Sequence, residues 1–155
     1  MDSILNKNIL IIDDDERMLR ALDRVLGSEG AVITTTKWAG DAIEFLIRRE
    51  KIVDLVITDL RMPLVTGMTL VYAIHLIFPA IPTIVLTAFG NPEIRDECLR
   101  QGAAAFLEKT LSTSQLLAAI EKVLALQESD PRTSRRVMNN EKMTSYENIK
   151  PDKTN

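Results

Sequence analysis

Short runs of apolar or β-branched residues alternate five times with longer segments of mixed character along the chain. The runs cover residues 8–12, 31–35, 54–58, 83–86 and 104–107. Strands that are apolar without interruption are typical of a parallel sheet whose two faces are both covered by helices. The pattern therefore predicts an α/β fold, a doubly wound (βα)5 three-layer sandwich around a central five-stranded parallel sheet.

Apolar residues recur every three or four positions in most of the segments between these runs. Such spacing predicts helices that turn one face toward the sheet. The clearest stripes contain Met18, Leu22, Val25 and Leu26, then Ala39, Ala42, Ile43 and Leu46, and finally Leu116, Ile120, Val123 and Leu124. Segment 91–100 has only Ile94, Cys98 and Leu99 on such a face, so we expect its helix to be the least firmly anchored.

One stretch, residues 70–89, is nearly all apolar and has the length of a membrane span, about 20 residues. Pro79, Pro82 and His75 interrupt it and divide it into a helix end, a turn and a short strand. This division fits the rhythm of the rest of the chain. We therefore expect no contact with a membrane.

Length and composition bound the domain organisation. The 155 residues, 46% of them hydrophobic and 26% charged, suit one globular domain, which we place at residues 5–126. From residue 127 the chain becomes polar, with few large apolar residues, and this predicts a disordered C-terminal tail at 127–155. A net charge of −3 leads us to expect no direct nucleic-acid binding. The single cysteine, Cys98, allows no internal disulfide and fits a cytoplasmic location.

Acidic residues follow two of the predicted strands. The run "ILII" leads into Asp13, Asp14, Asp15 and Glu16, and Asp59 follows the third strand. Because the carboxyl ends of parallel strands meet at one edge of a sheet, the aspartates that follow the first strand are expected to converge there with Asp59. Converging carboxylates repel one another unless a cation lies among them, and oxygen ligands favour Mg²⁺. Asp15 and Glu16 are assigned instead to the first turn of a helix.

Two further polar residues are expected at the same edge. Thr87 directly follows the fourth run and Lys109 comes shortly after the fifth. A carboxylate, a divalent cation, a hydroxyl and an ammonium together can stabilise a phosphoryl group during its transfer, with Asp59 as the nucleophile. No glycine-rich loop follows the first strand, which argues against a nucleotide-binding module.

These positions resemble the receiver domain of two-component response regulators over about residues 5 to 126. The resemblance depends on Asp13, Asp14, Asp59, Thr87 and Lys109. It implies a flavodoxin-like fold and a protein of a two-component phosphorelay that is itself phosphorylated, with Mg²⁺ as the cofactor of the phosphoryl transfer. Within the acidic pair it makes Asp14 the more direct metal ligand.

The same resemblance implies a role for each residue around the acceptor. Asp59 would form the aspartyl phosphate, and the backbone carbonyl of Arg61 would complete the metal shell. Thr87 and Lys109 would each bind a phosphoryl oxygen. Phe106 would change rotamer when Thr87 moves, so that phosphorylation alters a partner-binding face.

The partners are also implied by the resemblance. A sensor histidine kinase or a histidine phosphotransfer protein would supply the phosphoryl group, and a downstream protein would be the target. Phosphorylation could also drive formation of a homodimer. The chain would catalyse only its own phosphotransfer and dephosphorylation, and so would not be an enzyme in the ordinary sense.

The sequence departs from the family pattern in the loops around the acceptor. Thr110 replaces the usual proline after Lys109, and Thr66 stands where an acid is common. Arg61 and Phe89 occupy positions that tune the lifetime of the phosphoryl group in this family. These departures predict unusual dephosphorylation kinetics.

Two other functional classes remain open. The first is a receiver-like scaffold that binds partners without phosphorylation; the intact set of site residues does not support it, but the Thr110 loop keeps it open. The second is a phosphatase of the haloacid dehalogenase type. Its motif needs Thr or Val at position 17, where this chain has Arg17.

Overall fold

A five-stranded parallel sheet lies at the centre of the molecule. The computed structural model describes residues 2–50 and 52–131. The strands are β1 Asn8–Ile12, β2 Val32–Thr36, β3 Leu55–Thr58, β4 Thr83–Thr87 and β5 Ala105–Glu108, and their order in the sheet is β2-β1-β3-β4-β5. Every neighbouring pair is parallel. The predicted α/β sandwich is confirmed.

Five α-helices cover the two faces of this sheet. They are α1 Glu16–Ser28, α2 Ala39–Arg49, α3 Gly67–Ile77, α4 Pro92–Arg100 and α5 Thr113–Glu128, preceded by a short 3-10 helix at Asp2–Ile4. One core cluster joins α1 and α5 to the sheet, and two others join α2, α3 and α4 to the opposite face. None of the helices in the described ranges is both long enough and apolar enough to cross a bilayer.

Strand β1 shows why the apolar runs are uninterrupted. Ile9 and Ile11 pack into the cluster on the α1 and α5 side, whereas Leu10 and Ile12 pack into the cluster beside α2 and α3. Successive side chains of a strand point to opposite faces, and helices cover both faces here, so every position must be apolar. All four side chains are at most 1% exposed.

Strand pairing explains the small differences from the predicted boundaries. Thr87 pairs with Glu108 in the register of β4 and β5, so both strands extend one residue further toward the carboxyl edge than their apolar runs. Thr36 pairs with Ile12 in the same way and extends β2. Polar residues at strand ends are held by backbone hydrogen bonds that hydrophobic pattern does not reveal.

Local capping sets the helix starts. The Asp15 side chain accepts a hydrogen bond from the Arg17 amide and caps α1, so Asp15 lies just before the helix. Asn91 caps α4, the weakly apolar helix, whose only buried residue is Cys98. Ser112 caps α5, which ends at Glu128, and residues 132–155 of the predicted tail lie outside the described residues.

The strand order creates the crevice that holds the polar residues. Strands β1 and β3 are neighbours, with β2 on one side and β4 on the other. The order reverses between β1 and β3, so their following loops leave toward opposite faces of the sheet. Asp13 and Asp59 are the first residues after these two strands.

Gly67 fixes how the loop after β3 returns to α3. Its amide donates to the Leu60 carbonyl at 2.8 Å. A Cβ added at Gly67 would overlap the carbonyl oxygen of Asp59 and lie 2.6 Å from the Leu60 Cα. Both are backbone atoms, which cannot move aside as a flexible side chain can. The start of α3 therefore lies directly against the peptide group of Asp59.

We expect Gly67→Ala to lower the free energy of unfolding by about 2–3 kcal/mol, because the backbone around Asp59 must shift to admit the methyl group. Gly40→Ala is the matched control, since nothing lies within 4 Å of a Cβ there. In the first turn of α2 the same change should raise stability by up to about 1 kcal/mol. Urea denaturation followed by circular dichroism measures both. Equal effects of the two substitutions would contradict this account of Gly67.

Candidate functional site

Three carboxylates meet at the carboxyl edge of the sheet. Asp13 and Asp59 are 2% and 5% exposed, whereas Asp14 is exposed. One oxygen from each lies within 4.8 Å of the other two. The sequence prediction that these three residues converge is therefore met by the geometry.

Lys109 lies between the two buried carboxylates. Its ammonium donates to Asp13 Oδ2 at 2.7 Å and to Asp59 Oδ2 at 3.0 Å, and only 14% of its side chain is exposed. Lys109 lies 50 residues after Asp59 and 96 residues after Asp13, so the sequence did not indicate that it pairs with them. Lys109 was expected at this edge as a phosphoryl ligand; its ion pairs with both acids were not foreseen.

Burial and charge act in opposite directions on these groups. Burial raises the pKa of Asp13, and this outweighs the hydrogen bonds from Lys109 and from the Asp15 amide, which lower it. For Lys109, burial on its own would lower the pKa, but the hydrogen bonds and charges of Asp13 and Asp59 outweigh it, so the pKa is raised. The ammonium therefore stays charged, and the Asp13 carboxylate is less well solvated than one in water.

Backbone contacts orient the Asp59 carboxylate. Its Oδ1 accepts from the Leu60 amide at 2.7 Å, while Oδ2 faces Lys109. The Asp59 amide donates to the Ile12 carbonyl at 3.0 Å, which ties the residue to the end of β1. Its own carbonyl accepts from the Thr58 hydroxyl at 3.0 Å. Both the side chain and the peptide of Asp59 are thus held in one orientation.

Thr87 is fully buried at the end of β4, on the strand beside β3. Its carbonyl accepts from the Lys109 amide at 2.9 Å, so the two residues lie side by side at the edge. Its hydroxyl accepts from the Phe89 amide at 3.1 Å. The structure thus gives this hydroxyl a partner in the loop that leads to α4.

The turn after β5 holds Lys109 without a proline. The Leu111 amide donates to the Glu108 carbonyl at 3.0 Å across Lys109 and Thr110. No cis peptide bond occurs in the described part of the chain, so this turn is all trans. Thr110 at this position is therefore compatible with a well-placed Lys109.

Phe106 packs against the loop between β4 and α4. It is partly buried against the cluster that contains Val71 and Cys98. A Cβ at Gly90 would lie 2.8 Å from the ring atom Cζ of Phe106. The ring therefore occupies the space that a side chain at position 90 would need, a contact that no sequence pattern indicated.

Arg61 and Phe89 form a contact that sequence reasoning also missed. The guanidinium carbon of Arg61 lies 3.7 Å from the centre of the Phe89 ring. Both positions had been singled out, but side chains from two different loops meet only once the loops are folded. The ring is 47% exposed, so the stack lies at the surface of the molecule.

The donor set fits a small divalent cation. Oxygen ligands lie about 2.1 Å from Mg²⁺, so ligands on opposite sides are about 4.2 Å apart. The spread of 4.8 Å among the oxygens of Asp13, Asp14 and Asp59 needs only small adjustments to reach this. Three carboxylates and one ammonium leave a formal charge of −2, which a divalent cation would balance. The acidic pocket of the described residues therefore has the chemistry of a metal site.

Comparisons with known proteins agree with this geometry. A family model for the response regulator receiver domain matches residues 9–121. The transcriptional regulatory protein GlrR of Escherichia coli strain K12 is 38% identical over 129 residues, which make up 83% of this chain and 28% of GlrR. The chain thus spans less than a third of the length of this relative.

Solved structures show the same fold. A response regulator receiver domain from Clostridium thermocellum has a TM-score of 0.74 at 26% identity and covers 79% of this chain and 97% of its own. A chain of the CheX-CheY-BeF3-Mg²⁺ complex from Borrelia burgdorferi has a TM-score of 0.73 at 27% identity, covering 77% and 90% respectively. With its parallel sheet and its matched residues 9–121, this chain belongs to the response regulator receiver domain family.

Proposed function

We propose that this receiver domain accepts a phosphoryl group on Asp59 and that phosphorylation switches its binding to a protein target. The observation that carries the proposal is the Lys109 ammonium, which bridges Asp13 and Asp59 at 2.7 and 3.0 Å. A purely structural lysine would not need to lie between two buried carboxylates in a pocket with an excess of negative charge. The excess negative charge of this pocket suits a cation, and the Lys109 ammonium suits an anion such as a phosphoryl group.

Each residue has a separate task in the proposed transfer. Oδ2 of Asp59 attacks the phosphorus of a phosphohistidine; the new O–P bond forms as the N–P bond breaks, and the imidazole leaves with its electron pair. The Leu60 amide holds Oδ1 and so fixes which oxygen attacks. Lys109, released from Asp59, pairs with a phosphoryl oxygen, and the Thr87 hydroxyl binds another. A bound Mg²⁺, held by Asp13, Asp14, Asp59 and the carbonyl of Arg61, would neutralise charge on the phosphoryl oxygens.

The phosphoryl donor is proposed to be a sensor histidine kinase or a histidine phosphotransfer protein, and the output is contact with a downstream protein. A phosphorylation-dependent homodimer is compatible with this scheme. GlrR is named a transcriptional regulatory protein, but only 28% of it is matched here. The expectation that this chain makes no direct nucleic-acid contact stays a prediction.

The two other functional classes are less well supported. A haloacid dehalogenase-type phosphatase needs a Thr or Val at position 17, and Arg17 there has a side chain that is 88% exposed. A scaffold that works without phosphorylation gives no reason for Lys109 to be buried between Asp13 and Asp59. Because Lys109 pairs with both carboxylates despite Thr110, the Thr110 loop gives the scaffold little support.

Incubation with acetyl phosphate and Mg²⁺ should add one phosphoryl group to the chain, as measured by intact-protein mass spectrometry. Chelation of Mg²⁺ should reduce the adduct by about tenfold or more, because the charge on the phosphoryl oxygens is then poorly balanced. Asp59→Asn should abolish the adduct, while the control Asp96→Asn on α4 should retain it. An adduct that survives in Asp59→Asn would overturn the assignment, and steady hydrolysis of a phosphate monoester would favour the phosphatase.

Asp13→Asn should stabilise the metal-free protein by about 1 kcal/mol, because it removes one buried negative charge from a cluster that carries an excess. The amide retains an oxygen for the hydrogen bond that Asp13 Oδ1 accepts from the Asp15 amide at 2.9 Å. Its NH2 group replaces the oxygen that accepts from Lys109, and Lys109 keeps its pairing with Asp59. Addition of Mg²⁺ should then stabilise only the wild type. Urea denaturation with EDTA or with Mg²⁺ measures this, with Asp96→Asn as the surface control. A destabilised Asp13→Asn protein in EDTA would contradict the charge argument.

Truncating the two exposed side chains beside the acceptor should shorten the life of the aspartyl phosphate. Arg61→Ala and Phe89→Ala remove bulk that limits the approach of water to Asp59, and the half-life should fall by about two- to tenfold. The decay of the phosphorylated species in Mg²⁺ buffer after removal of acetyl phosphate, followed by mass spectrometry, provides the measurement. A half-life that neither substitution alters would remove these residues from the control of dephosphorylation.

A further inference from the structure

The stack of Arg61 on Phe89 joins two loops that have different roles. Arg61 lies two residues after Asp59, in the loop that leads to α3, and Phe89 lies two residues after Thr87, in the loop that leads to α4. The guanidinium carbon is 3.7 Å from the ring centre. A cation over an exposed aromatic ring shifts an equilibrium by about two- to fivefold. The contact is therefore strong enough to bias a loop between two conformations.

The Phe89 loop is held at two other points. The Phe89 amide donates to the Thr87 hydroxyl at 3.1 Å. Gly90 lies so close to Phe106 that an added Cβ would be 2.8 and 2.9 Å from two ring atoms. Three contacts thus fix the short segment from Thr87 to Gly90: the Phe89 amide on the Thr87 hydroxyl, the Phe89 ring on Arg61, and the close packing of Gly90 against Phe106. A displacement at one point must be transmitted to the other two.

We propose that Arg61 is a positioning residue for Thr87. Its stack on Phe89 holds the loop in the conformation in which the Thr87 hydroxyl accepts from the Phe89 amide. This inference rests on the proposed function of Asp59, because it concerns what happens when that hydroxyl turns to a phosphoryl oxygen.

The stack has to open for that turn to occur. Rotation of the Thr87 hydroxyl takes it away from the Phe89 amide, and a partly buried N–H group is costly to leave without an acceptor. The Phe89 backbone therefore follows the hydroxyl, and its ring leaves Arg61. The stack stabilises the unphosphorylated conformation only, so its loss favours the phosphorylated one.

This role differs from that of a cover over Asp59. A cover slows the entry and the exit of an anion by the same factor, so the dissociation constant does not change. A positioning contact made in only one conformation changes the dissociation constant itself. Binding of a phosphoryl analogue at equilibrium therefore separates the two roles.

The experiment measures the Kd of beryllofluoride in the presence of Mg²⁺. The titration is followed by NMR through the backbone amide signals of Thr87, Phe89 and Gly90. Phe89→Leu and Arg61→Gln should each bind about two- to fivefold more tightly than the wild type. The double variant should bind no more tightly than either single variant, because both remove the same contact. Arg61→Lys, which keeps the charge but loses the planar stack, should lie between Arg61→Gln and the wild type.

Two substitutions serve as matched controls. Tyr72→Leu removes an aromatic ring that is 49% exposed, close to the 47% of Phe89, and Arg95→Gln removes an exposed arginine of α4. Neither should alter the Kd. Unchanged affinity in Phe89→Leu and Arg61→Gln, or effects that add in the double variant, would overturn the inference.

A second measurement needs no ligand and separates this inference from the proposed function. In the free protein, exchange of the Phe89 amide with solvent should be about two- to fivefold faster in Arg61→Gln than in the wild type. If the wild type fails to bind beryllofluoride, the proposed function of Asp59 is rejected, and the amide exchange still decides whether Arg61 holds the loop. An exchange rate equal to that of the wild type would show that it does not.

Discussion

The buried ammonium of Lys109 is the interaction on which the rest of the site depends. Two carboxylates that are at most 5% exposed cannot both stay ionised side by side in a protein interior without a cation nearby. Lys109 supplies one positive charge, which balances part of the acidic cluster and leaves the remainder for a ligand. The parallel sheet makes this possible because the residues that follow β1, β3 and β5 all lie at the same edge. The fold thus brings together charged residues from three distant segments, so that the charge of Lys109 partly neutralises Asp13 and Asp59.

Four consecutive acidic residues after β1 have four different environments. Asp13 is buried beside Lys109, and Asp14 is exposed at the mouth of the pocket. Asp15 caps α1 through the Arg17 amide, and Glu16 pairs with Lys37. A strand ends and a helix begins within these residues, so successive side chains point in different directions. Although the four residues are similar in sequence, Asp13 and Asp14 belong to the acidic pocket, whereas Asp15 and Glu16 stabilise the start of α1.

Hydrophobic pattern was sufficient to predict the order of the strands and helices along the chain, and strand ends were sufficient to predict which polar residues would meet. Both depend on short-range periodicity and on a general property of parallel sheets. The Arg61–Phe89 stack, the tight approach of Gly90 to Phe106 and the pressure of Gly67 on Asp59 were not predictable in this way. Each depends on the path of a loop and on side-chain orientation. Such contacts become definite only after the helices have packed.

The long separation between Asp13 and Lys109 also has a consequence for how the protein folds. The contact between them spans 96 residues, so it forms only after β5 has joined the sheet beside β4. Any state in which β1 pairs with β3 while β5 is absent would carry the repulsion of Asp13 and Asp59 without the compensating ammonium. Loop closure over such a distance is slow compared with local contacts. Lys109, which follows β5, therefore completes the charge balance of Asp13 at the end of β1 only when these distant strands belong to the same sheet.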